Sequence, residues 1–310
     1  MRDEREIKKE KKNLPASIYQ RLLNMARAEN RPLNELLQYY AIERFLFRLG
    51  QSPLRNQFIL KGAQMLRAWT SAPAARPTMD VDLLAKVSNK IENLEQIVRE
   101  CCELEIEDGV VFNPKSVRGE IIKKDAEYKG VRVFVKGQLG KIRLSVQIDF
   151  GFGDRIVPAP VEVTLPELLD LGSPHLLGYT PESSIAEKFQ AIVALDVTNT
   201  RYKDFYDIWL LSENLKFDGK ILAEAISATF QRRSTSLPTQ APNALTERFT
   251  GDETKQKQWQ AFLRKNRLDN STNLAEVATQ IERFLMPVVS SLVSGNIFAK
   301  TWSAQEKWHN

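Results

Sequence analysis

The segment RPTMDVDLL (residues 76–84) places two aspartates, Asp80 and Asp82, on either side of a valine and directly before two leucines. This pattern predicts a strand whose last residues are buried. Since residues i and i+2 of a strand point to the same side, the two carboxylates share one face. Like charges at this spacing repel each other unless a cation lies between them, and Mg²⁺ or Mn²⁺ binds carboxylate oxygens. The segment therefore predicts a metal-binding strand.

A third carboxylate follows in SVQIDFG (residues 145–151). Asp149 lies on the polar side of a predicted strand whose other side is apolar. If this strand is adjacent to the first, three aspartates meet, as two-metal phosphoryl and nucleotidyl transfer requires. A second interpretation stays open, because Asp-x-Asp pairs also occur at solvated strand ends and an aspartate near a glycine often starts a turn.

Composition excludes several classes of protein. The 310 residues carry a formal net charge of +5, which suits a polyanionic partner without requiring one. The chain has only two histidines, His175 and His309, so zinc sites and histidine-dependent triads are improbable. Carboxylates must therefore carry any catalysis. The adjacent cysteines Cys101 and Cys102 suit neither a disulfide framework nor a spaced metal site and indicate a cytoplasmic protein. We expect neither a secretion signal nor a membrane span.

The order of patterned segments indicates an α+β protein. Helical spacing opens the chain, β-branched alternation dominates residues 110–151, and helical spacing returns from residue 181 onward. The Pro- and Gly-containing stretch 158–179 is the expected connection between the last two parts. We therefore predict three parts, namely helices packing on the core at 1–50, an α/β domain at 51–175 and a helical domain at 176–310.

A phosphate site is predicted where a strand meets a helix. Lys61, Gly62 and Ala63 lie between a short predicted strand and the helix that follows it. Backbone N–H groups at a helix N-terminus bind phosphate well. The same three residues also fit an ordinary strand-to-helix turn.

A lysine in an apolar helical stripe is the next unusual feature. In IAEKFQAI (residues 185–192), Lys188 shares the stripe with two isoleucines and a phenylalanine. Such an ammonium either extends to solvent or meets a phosphate or carboxylate. On the following helix, Asp204 and Asp207 lie three residues apart on one face, where pairing with neighbouring cations at the surface is the alternative.

Taken in order, LKGAQMLRAW, RPTMDVDLL, VQIDFG, ESSIAEKFQAIVAL and RYKDFYDIWLL resemble the AbiEii/AbiGii toxin family, nucleotidyltransferase-like toxins of AbiE-type toxin–antitoxin systems. The similarity spans residues 33–211. It implies a polymerase-β-like nucleotidyltransferase fold, a mixed sheet with flanking helices, followed by a helical C-terminal domain. Ala63 departs from the family, which often has glycine or serine there. The positions that correspond to the family's functional residues are Gly62, Ala63, Asp80, Asp82, Asp149, Lys188 and either Asp204 or Asp207.

The resemblance also implies a reaction. A nucleoside monophosphate would pass from a nucleoside triphosphate to RNA, at the 3′ end of tRNA, and block translation. Asp80 and Asp82 would hold the metal with Asp149, which also helps to position the acceptor hydroxyl, and Lys188 would neutralise phosphate charge. Arg76 is a further candidate for contacting phosphate, although a surface arginine is common. A cognate antitoxin is the implied partner.

A regulatory site and two RNA-binding segments are further hypotheses. Thr78, two residues before Asp80, is a candidate phosphosite, because some related toxins are silenced by phosphorylation beside the active site and a phosphate there would repel the triphosphate. The segment 255–267 is basic and contains Trp259, which either packs in a core or stacks on bases. The second basic set comprises Lys129, Arg132, Lys136, Lys141 and Arg143.

Two other function classes use the same residues. A metal-dependent nuclease would employ the same carboxylates to shorten RNA. A nucleotide-binding protein without catalysis would keep the fold alone.

Overall fold

The computed structural model describes residues 4–70, 77–125, 128–154, 156–269 and 271–310. Contacts between Cα atoms divide the chain into two compact units. Unit 1 comprises Met1–Ala68, Pro77–Gly153 and Glu162–Gly178. Unit 2 comprises Trp69–Arg76, Asp154–Val161 and Tyr179–Asn310.

The helices and strands alternate in the first half of the chain, and helices dominate the second half. The α-helices of the described residues are α1 (Glu4–Ala28), α2 (Leu33–Gln51), α3 (Gln64–Trp69), α4 (Ile91–Glu103), α5 (Pro181–Leu195), α6 (Tyr202–Asn214), α7 (Gly219–Arg232), α8 (Glu247–Thr250), α9 (Glu253–Asn266) and α10 (Leu274–Val293). The strands are β1 (Phe58–Lys61), β2 (Asp80–Ala85), β3 (Val110–Asp125), β4 (Tyr128–Leu139), β5 (Ile142–Phe152), β6 (Val161–Thr164), β7 (His175–Gly178), β8 (Phe217–Asp218), β9 (Thr301–Ser303) and β10 (Lys307–His309).

Unit 1 is built on a seven-stranded mixed sheet in the order β3-β4-β5-β2-β1-β7-β6. Strand β2 runs parallel to β5 and antiparallel to β1, so the two aspartate-bearing strands are neighbours. One face of the sheet is apolar and packs against α2 and α4, with Val133, Val146 and Ile148 fully buried there. The opposite face carries the polar side chains of β3, β4 and β5, and at β1 and β2 it also carries the buried Ile59 and Leu84. The predicted α+β class, with a mixed sheet and flanking helices, is confirmed.

Two buried charges fix the start of β3 against helix α2. The Arg48 guanidinium donates to both carboxylate oxygens of Asp108, at 2.6 and 3.1 Å, and to the backbone oxygen of Val110. Asp108 also accepts from the backbone N–H of Val110. Because the two side chains are almost fully buried and each has several partners, their desolvation is offset. This arrangement holds the β3–β4 hairpin in register with the helix below it.

Unit 2 is mainly helical, with α5, α6, α7 and α10 packed on one another. Trp259 is fully buried and donates its indole N–H to the backbone oxygen of Thr272, so the core interpretation of this residue is confirmed. The small three-stranded sheet β10-β9-β8 was not predicted from the sequence. Strands β6 and β7 were not predicted either. The stretch predicted as a connection contributes both of them to the sheet of unit 1, where β7 pairs with β1.

Cys101 and Cys102 are buried free thiols of α4. Burial raises the pKa of each thiol to about 12, so both stay protonated and unreactive at neutral pH. Among the helices that the structure describes, none combines the length and the apolar composition needed to cross a bilayer.

Candidate functional site

A row of charged side chains crosses the polar face of the sheet in unit 1. Strand register places Glu120, Arg132, Asp149, Asp82 and Lys61 side by side on β3, β4, β5, β2 and β1. Directly paired residues of neighbouring strands point to the same side and lie close enough to interact. Two carboxylates therefore sit at the centre of this charged row, and a cation flanks them on each side.

Asp80 lies on β2 two residues before Asp82, in the next row of the same face. Its neighbour on β5 is Gln147, and it points to the same face as Asp82. Asp80 and Asp82 are half-buried, whereas Asp149 is buried. The structure thus brings together all three aspartates that were predicted to meet, and the strand interpretation of Asp149 replaces the turn alternative.

Arg132 holds the buried carboxylate of Asp149. Its Nε donates to Oδ1 at 2.7 Å and its Nη2 donates to Oδ2 at 2.9 Å, which is a bidentate pair. These hydrogen bonds, together with the charges of Asp149 and Asp80, raise the pKa of the Arg132 guanidinium, which stays charged at every physiological pH. From the sequence, Arg132 was predicted only as a member of a basic set, and this role was not predicted. The alternation in VRVFVK put Arg132 on the polar side but could not give its partner.

The absence of a side chain at Gly62 makes room for Asp82. The backbone of Gly62 has φ +72°, a left-handed conformation that favours glycine. A Cβ built at this position would overlap the carboxylate of Asp82. Gly62 therefore sets the position of the Asp82 oxygens as well as the turn after β1.

Replacing Gly62 with alanine is expected to displace Asp82. The new Cβ must push the carboxylate aside, and a misplacement of about 1 Å at a reacting centre costs about a hundredfold in rate. Gly295→Ala is a matched control, because Gly295 has φ +70° but an added Cβ would meet nothing within 4 Å. Both variants should lose about 1 kcal/mol of unfolding free energy from the backbone alone. Equal rates in the two variants, measured for the reaction that the family resemblance implies, would contradict this role of Gly62.

Magnesium is compatible with the Asp80–Asp82 pair. In the part of the chain that the structure describes, no group of three or more His, Cys, Asp and Glu side chains has the spacing of a complete metal site. Mg²⁺ needs only one or two protein carboxylates, because water and substrate phosphates fill its other positions. Both oxygens of Asp149 accept from Arg132, so the third predicted ligand is engaged by a guanidinium in this structure.

The predicted phosphate-binding residues have different surroundings. Lys61 lies opposite Asp82, and its Nζ extends over Gly151 on the polar face, 3.6 Å from where a Cβ of Gly151 would stand. Ala63 is buried in the turn that precedes α3, a helix of only six residues whose dipole is correspondingly small. Arg76 lies outside the described residues.

Thr78 precedes the metal strand without belonging to it. Strand β2 begins at Asp80, so the extension of the strand to Thr78 that the phosphosite hypothesis assumed is absent. The Thr78 backbone N–H donates to the Tyr39 hydroxyl, and its own hydroxyl donates to the backbone oxygen of Asp80 at 3.5 Å. The residue is 9% exposed, so a modifying enzyme would need this segment to open first.

The remaining predicted residues form a separate cluster inside unit 2. The Lys188 ammonium lies 3.2 Å from Oδ1 of Asp204 and 2.7 Å from Oδ2 of Asp207. The Arg201 Nε donates to the second oxygen of Asp204 at 2.6 Å. Lys188 therefore contacts carboxylates, which was one of the two alternatives predicted for it. Because both carboxylates are fully buried, the prediction that the two aspartates pair at the surface is wrong.

The charges of this cluster stabilise one another. Burial by itself raises the pKa of Asp204, but Lys188 and Arg201 outweigh it and hold that pKa below its usual 3.8. Asp204 is therefore ionised at neutral pH.

Comparisons with known proteins give one family and two structures. The sequence model of a family described as "Nucleotidyl transferase AbiEii toxin, Type IV TA system" matches residues 44–284. The crystal structure of JHP933 from Helicobacter pylori is 16% identical, with a TM-score of 0.46, and the match covers 84% of this chain and 94% of that one. A Helicobacter pylori protein provisionally described as a nucleotidyltransferase is 17% identical, with a TM-score of 0.47 and coverage of 85% and 98%. No curated protein sequence matches the chain.

Proposed function

Because the chain belongs to the AbiEii family of nucleotidyl transferase toxins of type IV toxin–antitoxin systems, we propose that it transfers a nucleoside monophosphate from a nucleoside triphosphate to the 3′ end of tRNA. The observation that carries this proposal is the charged row, in which Asp82 and Asp149 lie between Lys61 and Arg132. Carboxylates suit a metal ion, and the flanking cations suit the phosphates of a triphosphate. Added nucleotides would block aminoacylation and hence translation.

The reaction is a displacement at the α-phosphorus of the triphosphate. The 3′-hydroxyl oxygen of the RNA forms the new bond to phosphorus as the bond to the β-phosphate oxygen breaks. Pyrophosphate leaves with the electrons of that bond, and the hydroxyl proton is released to solvent. Most of the acceleration in such reactions comes from positioning and from stabilisation of phosphate charge.

Asp80 and Asp82 would hold Mg²⁺ or Mn²⁺, with Asp149 as a third ligand once Arg132 releases it. The metal, when bound, neutralises charge on the phosphates and activates the attacking oxygen. In the proposal Lys61 and Arg132 add positive charge at either side of the carboxylates, and Gly62 keeps Asp82 in place.

The role proposed for Lys188, in unit 2, rests on the family resemblance, which implies a helical lysine that neutralises phosphate charge. Its ammonium is held between Asp204 and Asp207, which fixes its direction. Asp204 and Asp207 would then act as positioning residues for Lys188.

A cognate antitoxin accompanies toxins of this kind, and we place the protein in the cytoplasm, where triphosphates and tRNA occur. The buried, protonated thiols of Cys101 and Cys102 suit a reducing compartment.

The deciding experiment is incubation with total bacterial tRNA, Mg²⁺ and each α-labelled nucleoside triphosphate in turn. We expect tRNA to become labelled and longer with one triphosphate, to stay unlabelled when a chelator is present, and to become labelled again when Mg²⁺ is restored. Shortened RNA would identify a nuclease instead. Triphosphate binding without any labelled RNA, with Mg²⁺ or Mn²⁺ present, would overturn transfer in favour of a non-catalytic nucleotide-binding protein.

A further inference from the structure

The polar face of the sheet continues sideways from the carboxylates across β5, β4 and β3. The row next to the charged row contains Asp80, Gln147, Phe134 and Arg118, in that order from β2 to β3. The following rows on β4 and β5 pair Lys136 with Ser145 and Gln138 with Arg143. We call the four residues Arg118, Phe134, Lys136 and Arg143 the sheet platform.

Phe134 is out of place on a polar face. Its neighbours along the strand, Val133 and Val135, are fully buried on the opposite side, whereas Phe134 is only partly buried. The guanidinium of Arg118 lies over the Phe134 ring, 5.0 Å from its centroid. The flat faces of phenylalanine rings and arginine guanidinium groups are the surfaces on which unpaired RNA bases stack.

The other members of the sheet platform are cations. Lys136 and Arg143 are both exposed, and so is Arg118. Within the described residues, no salt bridge involves any of the three. Of the nearby carboxylates, Glu120 lies on the edge strand β3 in the charged row, and Asp149 is already neutralised by Arg132. The platform therefore presents positive charge that matches an RNA backbone.

We propose that the sheet platform binds the single-stranded 3′ end of the RNA acceptor. A base near that end stacks on the Arg118–Phe134 pair, and neighbouring phosphates meet Lys136 and Arg143. Phe134 lies two strands from Asp80, which is about 10 Å at the usual strand spacing. The end of the RNA thereby reaches the Asp80–Asp82 pair. This inference rests on the proposed function, which names RNA as acceptor, and it assigns the surface that holds it.

The test measures binding of RNA separately from transfer. The probes are a 5′-fluorescein-labelled RNA hairpin with a short unpaired 3′ end and the same hairpin with a blunt end, followed by fluorescence anisotropy. Phe134→Ala should weaken binding of the first probe about 5- to 150-fold, the range that loss of one stacked base gives, and leave the blunt probe almost unchanged. Phe134→Leu, which keeps an apolar side chain, should lose nearly as much.

The double variant Lys136→Gln/Arg143→Gln should weaken both probes and reduce the salt dependence of binding. On a logarithmic plot the slope should fall by about 0.7 for each charge removed. Ile121→Ala is the control for Phe134→Ala, because Ile121 is 57% exposed on the opposite face of the same hairpin. Lys216→Gln, at an exposed lysine of unit 2 outside both candidate RNA-binding segments, is the control for the charge variants. Both controls should bind like the unchanged protein.

The outcomes separate the two proposals. If the unchanged protein labels RNA and the platform variants bind and label it as well as the controls do, the platform assignment is wrong and the proposed function stands. If the unchanged protein neither binds nor labels RNA, the proposed function is wrong and the platform falls with it. Weaker binding of the unpaired end, with a raised KM for RNA and an unchanged KM for triphosphate, supports the platform.

Discussion

Asp82→Asn is expected to reduce nucleotidyl transfer by about a thousandfold or more. Asp82 is the central carboxylate of the charged row, lying between Lys61 and Asp149 and against Gly62. A metal ion contributes several kcal/mol of transition-state stabilisation, and each 1.36 kcal/mol is a factor of ten in rate. An amide offers one neutral acceptor in place of two charged oxygens, so most of the metal's contribution is lost.

The same substitution should leave the fold intact. Asp82 is half-buried on the polar face of the sheet, and asparagine has the same size. Since a carboxylate lies on one side of it and an ammonium on the other, the free energy of unfolding should change by no more than about 1 kcal/mol. The measurement is the initial rate of RNA labelling at saturating triphosphate, together with a thermal unfolding curve and Mg²⁺ binding by calorimetry.

Glu120→Gln is the matched control for Asp82→Asn. Glu120 belongs to the same charged row, but it is exposed at the outer edge, two strands from Asp149. The rate of RNA labelling by Glu120→Gln should stay within about twofold of the rate of the unchanged protein, because an exposed surface charge contributes little. Residual activity of Asp82→Asn above about a tenth of normal, with Mg²⁺ binding retained, would remove Asp82 from the metal site.

The local pattern was sufficient to predict the two aspartates of β2. Alternation with period two fixes the face of each residue once the strand is known, and the strand is short and strongly apolar at its end. The prediction that Asp149 meets the other two aspartates depended on one further condition, namely that β5 lies beside β2. The structure satisfies it through a parallel pairing of distant segments.

The partner of Asp149 could not be predicted in the same way. Arg132 meets Asp149 only because β4 and β5 pair in one register, and a shift by a single residue would turn Arg132 to the other face. That register depends on the turn between the strands and on the packing of the apolar face. Alternation along β4 therefore predicts a basic residue on the polar side, whereas the role of Arg132 follows only from the strand pairing.

Strands β6 and β7 were missed for a related reason. Each has four residues, which is too short for an alternating pattern to stand out. Strand β7 owes its extended conformation to hydrogen bonds with β1, more than 110 residues earlier in the chain. The helices α5 and α6 were predicted because a helix of 13 or 15 residues shows its own periodicity.

Lys188→Met is expected to destabilise unit 2 strongly. The side chains of Asp204 and Asp207 are fully buried, and the Lys188 ammonium contacts both. Removing one partner of a buried pair leaves an uncompensated charge and costs about 3–5 kcal/mol of unfolding free energy. Arg201 continues to contact Asp204, so the loss of the Lys188 ammonium falls mainly on Asp207.

This assignment predicts a rescue. In Lys188→Met/Asp207→Asn the carboxylate that lost the Lys188 ammonium is itself replaced by a neutral amide, so the double variant should be more stable than Lys188→Met alone. The control is Lys257→Met, at an exposed lysine that pairs with Glu253 at 3.4 Å on α9 and should change stability by no more than about 0.5 kcal/mol. A double variant no more stable than the single one would show that the charge of Asp207 does not determine the loss.

The pH dependence gives an independent check on the same cluster. Lys188 and Arg201 hold the pKa of Asp204 below its usual 3.8, so its stabilising contribution is complete above that value and is lost as the pH falls through the lowered pKa. Without Lys188 that pKa rises, and the loss begins at a higher pH. The difference in unfolding free energy between the unchanged protein and Lys188→Met should therefore be largest near neutral pH and shrink in acid.

All five tryptophans belong to unit 2, so denaturant unfolding followed by tryptophan fluorescence reports on the unit that carries the cluster. A difference that stays constant down to the acid limit of the fold would mean that the ammonium of Lys188 does not stabilise these carboxylates.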